Sequence, residues 1–319
     1  MAEAGRWDLR QLLAACAFLA RRGGRIIREV HQQGQLGAHN KKVEGDERAA
    51  QAMDPAEVLT IADMRSQDAI VRSLRGMFPG LRMVGEEEEA SPELQEAATP
   101  WEEVPPLADE FEVPAELAAS LTVADTCLWI DPLDGTIEFV RGNVHHVCVL
   151  IGVAVCNRPV AGVVLEPFVG GEGGQLTYGA LGVGVLGDQS TTTGGPPDDL
   201  IVAMEAKHVE DPRLKAAVAS LGEAASTKVS QGAGQNLLKV LRGETSAFLQ
   251  AAGASRWDTC AGEALITAAG GRVTDLDGRP YTYVQGATSY INAEGLIAAR
   301  TEELHARVAA AVPPPDAKL

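Results

Sequence analysis

Two aspartates stand three positions apart in the run Trp129-Ile130-Asp131-Pro132-Leu133-Asp134-Gly135-Thr136. The apolar stretch before them, 127–130, is typical of the end of a buried strand, and Pro132 then breaks it into a turn. Carboxylates and the backbone carbonyl of Leu133 are hard oxygen ligands, which suit Mg²⁺ better than zinc. Two carboxylates on one turn can be shared between two cations, the usual arrangement for in-line attack on phosphorus. The Thr136 hydroxyl is then a candidate to hold the attacking water.

The same run also fits an ordinary turn, because Asp, Pro and Gly each favour turns. A second acidic run, Gly85-Glu86-Glu87-Glu88-Glu89, directly follows the apolar stretch 81–84. Runs of glutamate are usually solvated, but α/β proteins place their sites where strands end. Glu86 is therefore the best ligand candidate of this run, with Glu87 as its supporting partner.

Two further aspartates stand at the fronts of predicted helices. Asp63 follows Thr60 and begins a segment whose apolar residues have helical spacing, and Asp258 precedes a small-residue helix that ends at Gly270-Gly271. Each carboxylate can simply cap its helix. In the chemical interpretation, Asp63 accepts a proton from the attacking water through Thr136, and Asp258 reaches a bound cation.

Together these segments resemble the signatures of the magnesium-dependent, lithium-sensitive phosphatase superfamily of inositol monophosphatase. The signatures are Gly-Glu-Glu, Asp-Pro-[Leu/Ile]-Asp-Gly/Ser-Thr and Trp-Asp-x-x-Ala-[Gly/Pro], and the chain carries them in order over residues 60–271. The resemblance implies an α+β and α/β chain folded as a layered αβαβα sandwich, with the metal site between two halves. It also implies inhibition by Li⁺, which replaces one Mg²⁺.

The resemblance further implies which residues bind two or three Mg²⁺ ions. One ion is expected on Glu86, Asp131 and the Leu133 carbonyl. A second is expected on Asp131, Asp134 and Asp258. The catalytic residues are expected to be Asp63 and Thr136, which position the water and accept its proton.

Within the superfamily the chain is most similar to the 3'(2'),5'-bisphosphate nucleotidases. The long acidic interval between Glu86 and Asp131, with Trp101-Glu102-Glu103 inside it, supports this, as does the stretch 147–167 (VCVLIGVAVCNRPVAGVVLEP). The implied enzyme is a phosphoric monoester hydrolase that converts adenosine 3',5'-bisphosphate into AMP and phosphate by a metal-activated water. An inositol polyphosphate 1-phosphatase or an inositol monophosphatase is the alternative, and a non-catalytic phosphometabolite or metal sensor is a third hypothesis.

The expected substrate contacts come partly from helix geometry and partly from the resemblance. The predicted substrate-binding residues are Gly135, Thr136, His208, Gly232, Gly234 and Asn236. The first two would offer backbone N–H groups to phosphate if they open a helical turn. Asn236 stands where the nucleotidases carry Lys, and Glu205 stands where they carry a small hydroxyl residue, so the pocket for the second phosphate departs from the family. Lys207 and Lys239 are the nearby cations that would compensate.

The composition of the 319-residue chain limits the classes of molecule that it is expected to bind. Its net charge of −17, with no Lys/Arg cluster longer than two residues, argues against binding nucleic-acid polymers. No apolar run is long enough to span a bilayer, and the apolar spacing over 9–30 predicts a packed amphipathic helix, with a mitochondrial targeting helix as the alternative. The five cysteines show no paired spacing and are predicted to be reduced, buried thiols. We therefore expect a cytoplasmic protein, monomeric or homodimeric, acting on a small phosphate ester.

The chain is predicted to form an N-terminal α+β half, 1–187, and a C-terminal α/β half, 188–319, with an acidic insertion at 88–124. That insertion is expected to be a largely irregular, solvated excursion, or to line the mouth of the site. The predicted helices span 8–31, 64–77, 211–221, 234–242, 258–269 and 302–311. The predicted strands span 81–84, 127–131, 145–155, 159–165, 200–204, 226–230, 245–250, 272–275 and 295–299. Asn157-Arg158-Pro159 lies between strands 145–155 and 159–165, which are predicted to form an antiparallel hairpin. His145 and His146 are predicted to lie in a strand.

Overall fold

A computed structural model describes residues 5–40, 58–107, 111–188, 199–223 and 225–315 of the chain. Within these residues the helices are α1 (Leu9–Gln33), α2 (Ile61–Met77), α3 (Ala115–Ser120), α4 (Thr136–Val140), α5 (Pro212–Ser220), α6 (Ala233–Arg242), α7 (Arg256–Ala268) and α8 (Glu302–Ala311). The strands are β1 (His39–Asn40), β2 (Val58–Leu59), β3 (Arg82–Gly85), β4 (Thr126–Asp134), β5 (Cys148–Val155), β6 (Arg158–Glu166), β7 (Gln175–Ala180), β8 (Gly184–Gly187), β9 (Leu200–Glu205), β10 (Ala225–Ser230), β11 (Ala247–Gln250), β12 (Arg272–Thr274) and β13 (Leu296–Ala299).

The first large sheet contains six strands in the order β3-β4-β5-β6-β7-β8. β3 runs parallel to β4, and the remaining neighbours are antiparallel. Every residue of β4 and of β5 is buried. A strand that is apolar and buried on both faces requires a layer on each side of its sheet.

The second large sheet contains five strands in the order β10-β9-β11-β13-β12. β10, β9 and β11 are parallel, and β13 runs antiparallel to β11 and β12. The carboxyl ends of the three parallel strands therefore meet at one edge of the sheet, which is where α/β sheets bind ligands.

Helices separate and cover the two sheets. α1 and α2 pack on the outer face of the first sheet, α6 and α7 lie between the sheets, and α5 and α8 pack on the outer face of the second. This arrangement confirms the predicted αβαβα sandwich. α7 approaches the first sheet closely because the sheet presents glycine there: a Cβ at Gly152 would lie 2.6 Å from Cys260 Cβ.

The predicted antiparallel hairpin in the first sheet is confirmed, although its turn is shorter than the interval 157–159. The hairpin between β5 and β6 turns at Cys156 and Asn157, which both adopt positive φ (48° and 61°), so Arg158 and Pro159 belong to β6. Paired positive φ values are typical of a two-residue hairpin turn, whose twist matches the flanking strands. The turn also exposes Cys156, whereas the other four cysteines are buried thiols as predicted.

Residues 145 and 146 do not form the predicted strand. They lie in a short 3-10 helix, Val144–His146, and β5 begins only at Cys148. The acidic insertion is also more embedded than a solvated excursion. Its apolar residues Leu107, Phe111 and Leu121 are buried in the core under α1, and Trp101 stacks edge-on against Phe78 at 6.0 Å.

The predicted division at residue 187 separates the two large sheets, but α7 also packs on the first sheet. The division therefore stays a prediction. None of the helices in the described part of the chain has both the length and the apolar character needed to cross a lipid bilayer.

Candidate active site

Three of the predicted metal ligands meet between the two sheets. β3 and β4 are parallel with Gly85 opposite Ile130, so the residues that follow, Glu86 and Asp131, come side by side. Ligand oxygens of Glu86, Asp131 and Asp258 all lie within 4.8 Å of one another. A cluster of three carboxylates at this spacing is a suitable donor set for a hard divalent cation.

Asp258 reaches this cluster from the first turn of α7. The helix begins at Arg256, two residues earlier than predicted, so Asp258 is its third residue rather than its cap. Ser255 is the N-cap, and Asp258 Oδ2 accepts the backbone N–H of Ser255 at 2.8 Å. This capping box fixes the carboxylate at the start of the helix. Because a carboxylate has two oxygens, the bond is compatible with a cation on Oδ1.

A second capping box fixes Asp63 at the start of α2, on the other side of the first sheet. Thr60 is the N-cap of α2, and its backbone N–H donates to Asp63 Oδ2 at 2.8 Å. The Thr136 hydroxyl lies 3.0 Å from Asp63 Oδ1 and 3.0 Å from the Leu133 carbonyl oxygen. The two predicted catalytic residues are therefore in direct hydrogen-bond contact.

Asp134 connects the turn to the second half of the chain. Its Oδ2 accepts the backbone N–H of Gly234, in the first turn of α6, at 2.8 Å. Asp134 is not part of the three-carboxylate cluster, but it lines the same cavity as Glu86 and Asp258. α6 thus holds the Asp131–Asp134 turn from the side opposite to Asp63.

The buried carboxylates strongly affect one another. Burial raises the pKa of Asp63 to about 6 and the pKa of Asp134 to about 7. Burial, and then the charges of neighbouring carboxylates, also raise the pKa of Asp131 and of Asp258 well above its usual range. The site favours added positive charge, since this would offset the repulsion between carboxylates. The residues present therefore fit a metal-binding role.

The four carboxylates predicted to bind metal, but not Asp63, line a cavity of about 350 Å³. The predicted residues on its wall are Glu86, Asp131, Leu133, Asp134, Gly135, Thr136, Gly232 and Asp258. Arg141, Glu205, Lys207 and Gln250 also lie on this wall. Described residues of the acidic insertion are not on it, in contrast to the expectation that they line the mouth.

Three predicted substrate residues are not on the wall that the described residues form. Gly234 lies behind Asp134, which it contacts through its N–H. Asn236 is fully buried and its amide donates to the Gly232 carbonyl at 2.9 Å. The His208 ring is buried with Nε2 3.9 Å from Glu205 Oε2. Direct substrate contact by these three residues remains a prediction.

Comparison with known proteins identifies the family. The model of the inositol monophosphatase family matches residues 8–314. The chain belongs to the inositol monophosphatase family. As a member of this phosphatase family it is a phosphoric monoester hydrolase.

Similar proteins are found both by sequence and by structure. The chain is 31% identical to human "3'(2'),5'-bisphosphate nucleotidase 1" and 30% identical to the Dictyostelium discoideum protein of that name, covering 91% of this chain in both cases and 91% and 93% of the relatives. The fold matches the inositol monophosphatase of Anabaena with a TM-score of 0.64 at 20% identity, covering 96% of this chain and 98% of the other. It also matches the suhB protein of Bartonella henselae, with a TM-score of 0.66 at 18% identity, over 95% and 99% of the two chains.

Two glycines of the site pack tightly against one backbone carbonyl. Gly135 and Gly232 both have positive φ, and a Cβ on either would lie within 2.9 Å of the His146 carbonyl oxygen. One backbone carbonyl thus separates the turn that carries Asp134 from the start of α6. Side chains at either position would push these elements apart.

We expect Gly135→Ala to reduce kcat/KM at least about 10-fold, because the added Cβ displaces the turn and a shift of about 1 Å near the reacting atoms is costly. Gly142→Ala is the matched control, since Gly142 has φ of 82° but open space around its Cβ position. Both variants should lose thermal stability from backbone strain. Equal activity of the two variants would show that the contact with His146 does not matter.

Proposed function

We propose that this protein hydrolyses the 3' (or 2') phosphate of adenosine 3',5'-bisphosphate, giving AMP and phosphate, in a Mg²⁺-dependent reaction that Li⁺ inhibits. The observation that carries the chemistry is the cluster of Glu86, Asp131 and Asp258 with the Asp63–Thr136 pair beside the same turn. The choice of nucleotide is supported by relatives named 3'(2'),5'-bisphosphate nucleotidase 1, which align over 91% of this chain.

Glu86, Asp131, Asp258 and the Leu133 carbonyl would hold Mg²⁺, and Asp134 would serve a second ion. Bound Mg²⁺ supplies a Lewis acid that activates water and neutralises charge on the leaving oxygen. The Thr136 hydroxyl orients the water and donates its own proton to Asp63 as it accepts one. With its pKa raised to about 6, the Asp63 carboxylate is a suitable base near neutral pH. The water oxygen then bonds to phosphorus as the bond to the ribose oxygen breaks, and the ribose oxygen takes up a proton from solvent to become a hydroxyl of AMP.

The second phosphate requires a cation, which the side chain at 236 does not provide. Lys239 does not provide it either, because Lys239 is not on the cavity wall that the described residues form. Its Nζ donates a hydrogen bond to Ser230. Lys207 and Arg141 do lie on this wall, each tethered by one carboxylate: Lys207 Nζ is 3.0 Å from Glu205, and Arg141 is 2.9 Å from Glu138. We assign the second phosphate to these two cations.

The test of the function is phosphate release with Mg²⁺ from three substrates, with and without LiCl. Adenosine 3',5'-bisphosphate is compared with inositol 1,4-bisphosphate and inositol 1-phosphate. We expect the nucleotide to have the highest kcat/KM and LiCl to inhibit its hydrolysis. Preference for an inositol phosphate would instead support an inositol polyphosphate 1-phosphatase or an inositol monophosphatase. Asn236 and Glu205, which differ from the residues expected in the nucleotidases, would then explain the change of substrate.

We predict that Lys207→Gln and Arg141→Gln each raise KM for adenosine 3',5'-bisphosphate about 5- to 50-fold, because each removes one charge-assisted contact to phosphate. Hydrolysis of adenosine 3'-monophosphate, which lacks the second phosphate, should change less than about twofold. Lys215→Gln is the matched control, because Lys215 is an equally exposed lysine paired with Glu210 outside the cavity. A parallel loss on both nucleotides would contradict the assignment.

We also propose a cytoplasmic location. None of the five cysteines, all of which lie in the described part of the chain, forms a disulfide, and this is typical of a reducing compartment.

A further inference from the structure

Glu86, a predicted metal ligand, lies where the chain leaves the first sheet. β3 ends at Gly85, although the Glu86 N–H still donates to the Ile130 carbonyl at 3.0 Å. Residues 86 and 87 form a bend and do not continue the strand. The backbone groups beyond this point need partners from outside the sheet. The direction of the Glu86 carboxylate therefore depends on how the bend is held.

The side chain of Gln67, on α2, holds this bend. Its Oε1 accepts the Glu87 N–H at 3.0 Å, and its Nε2 donates to the Glu87 carbonyl. A side-chain amide has both an acceptor and donors, so it pairs with both backbone groups of one residue, as a residue of a neighbouring antiparallel strand would. Gln67 is 6% exposed, so water competes little for these hydrogen bonds.

Gly85 leaves the space in which the Gln67 amide lies. A Cβ at Gly85 would lie 2.3 Å from Gln67 Oε1 and 2.7 Å from Gln67 Cδ, and its three nearest atoms all belong to Gln67. The φ angle of Gly85 is outside the left-handed region, so the backbone conformation does not itself require glycine. The close approach of Gln67 explains why a glycine precedes Glu86.

The same helix holds the other segment that carries predicted metal ligands. Ser66, the residue before Gln67, donates from Oγ to the Pro132 carbonyl at 3.1 Å. Pro132 lies in the turn between the two aspartates of β4. Consecutive residues of α2 therefore bind the backbones of both ligand-bearing segments, and the helix also carries Asp63 one turn earlier.

We propose that Gln67 is a positioning residue, which directs the Glu86 carboxylate towards Asp131 and thereby sets the affinity of the site for Mg²⁺. Gln67 is not on the cavity wall that the described residues form, so it acts through the backbone of the bend and not on the substrate. Groups that orient metal ligands typically change metal affinity by about 10- to 100-fold. This inference rests on the metal requirement of the proposed function.

The experiment is a calorimetric titration of the metal-free protein with Mg²⁺, without substrate. Gln67→Met keeps the length of the side chain but removes both hydrogen bonds to the bend. We expect this variant to bind Mg²⁺ with a Kd about 10- to 100-fold higher than that of the unaltered protein. Thermal unfolding in EDTA shows that the variant is folded.

Ser73→Ala is the matched control. Ser73 is a buried residue of the same helix, and its Oγ accepts the Thr99 N–H at 2.8 Å, in the acidic insertion and not beside a predicted metal ligand. Both variants should lose thermal stability in EDTA, because each leaves a backbone N–H without its partner. Ser73→Ala should nevertheless keep the Kd of the unaltered protein for Mg²⁺.

Gly85→Ala tests the same contact from the other side. The added Cβ displaces the Gln67 amide, so the Kd for Mg²⁺ should again rise, by about 5- to 50-fold. In a Gln67→Ala background the short side chain leaves room for this Cβ, and Gly85→Ala should then change the Kd less than about twofold. A full further loss of affinity in that background would overturn the proposal.

An unchanged Kd in Gln67→Met, with a Tm lowered as in Ser73→Ala, would also overturn it, because Gln67 would then stabilise the fold alone. Failure of the proposed substrate gives a different result, namely Mg²⁺ binding by the unaltered protein together with hydrolysis of an inositol phosphate. The comparison of Kd values stands in that case, since it uses no substrate. No binding of Mg²⁺ by the unaltered protein would overturn both the proposed function and the role of Gln67.

Discussion

Replacing Asp131 with asparagine is expected to abolish Mg²⁺-dependent phosphate release and, at the same time, to make the metal-free protein more resistant to heat. Asp131 belongs to the carboxylate cluster, and burial together with the charges of Glu86 and Asp258 raises its pKa well above the usual range. An asparagine removes one buried negative charge, can still accept the Leu133 N–H that Asp131 accepts at 2.9 Å, and can donate to Glu86. It therefore relieves repulsion in the empty site while removing a ligand shared by both expected metal ions.

The pH dependence follows from the raised pKa values. In the unfolded chain an aspartate has a pKa near 3.8, whereas the folded protein raises the pKa of Asp63 to about 6 and that of Asp134 to about 7. Between about pH 3.8 and about pH 7 the folded state therefore binds more protons than the unfolded state, and its stability falls as the pH rises through this range. The contribution is fully present below about pH 3.8 and is lost above about pH 7. Mg²⁺ requires deprotonated ligands, so its stabilising effect should be largest at alkaline pH.

The measurement is thermal unfolding at about pH 5.5 and about pH 8, with EDTA or with Mg²⁺. The unaltered protein should show a larger rise in Tm with Mg²⁺ at pH 8 than at pH 5.5. Asp131→Asn should have a Tm about 2–5 °C higher than the unaltered protein in EDTA at pH 8 and no response to Mg²⁺. Asp125→Asn, which alters an exposed aspartate that accepts a hydrogen bond from Thr122, is the control. A lower Tm for Asp131→Asn under these conditions would show that the carboxylates do not repel one another strongly.

The site residues that can be predicted from the sequence are those that follow an apolar strand or stand at the start of a helix. Glu86 and Asp131 each follow an apolar strand, and adjacent parallel strands end at the same edge, so their proximity follows from chain-local patterns. Asp63 and Asp258 stand at helix starts, although their role as third residues of capping boxes depends on Thr60 and Ser255, which the predictions did not use. The layered fold followed from the resemblance, and the structure confirms it.

The parts that the sequence did not predict depend on packing between distant elements. Gln250 ends a strand that was predicted almost correctly, and only the fold shows that its amide oxygen is buried without a partner on the cavity wall. Arg141 follows α4 with no motif to distinguish it. The acidic composition of the insertion predicts a solvated segment. Its few apolar residues, such as Phe111, nevertheless pack into the core. The resemblance predicts that Asn236 and His208 contact the substrate. Both side chains are buried and lie off the cavity wall that the described residues form, so this contact stays a prediction.

Asp63→Asn is expected to lower kcat about 10²- to 10⁴-fold, the usual contribution of a general base, while leaving binding of Mg²⁺ nearly unchanged. Asp63 is fully buried and lies outside the cluster of Glu86, Asp131 and Asp258, so its loss removes a proton acceptor and not a ligand. The rise in Tm with Mg²⁺ should therefore persist in this variant. Loss of that rise together with activity would show that Asp63 serves the metal instead.

The partnership of Asp63 with Thr136 has a sharper test. Thr136→Val keeps the shape but removes the hydroxyl that lies 3.0 Å from Asp63, so it should be about as damaging as Asp63→Asn. Thr136→Ser keeps the hydroxyl and should retain most of the activity. The two residues act on one proton, and the effects of residues in one catalytic unit are not additive. The kcat of the double variant Asp63→Asn/Thr136→Val should therefore be at most about threefold lower than the kcat of the slower single variant. If the two losses in kcat instead multiply, the residues act independently, and the transfer of the proton from water through Thr136 to Asp63 is wrong.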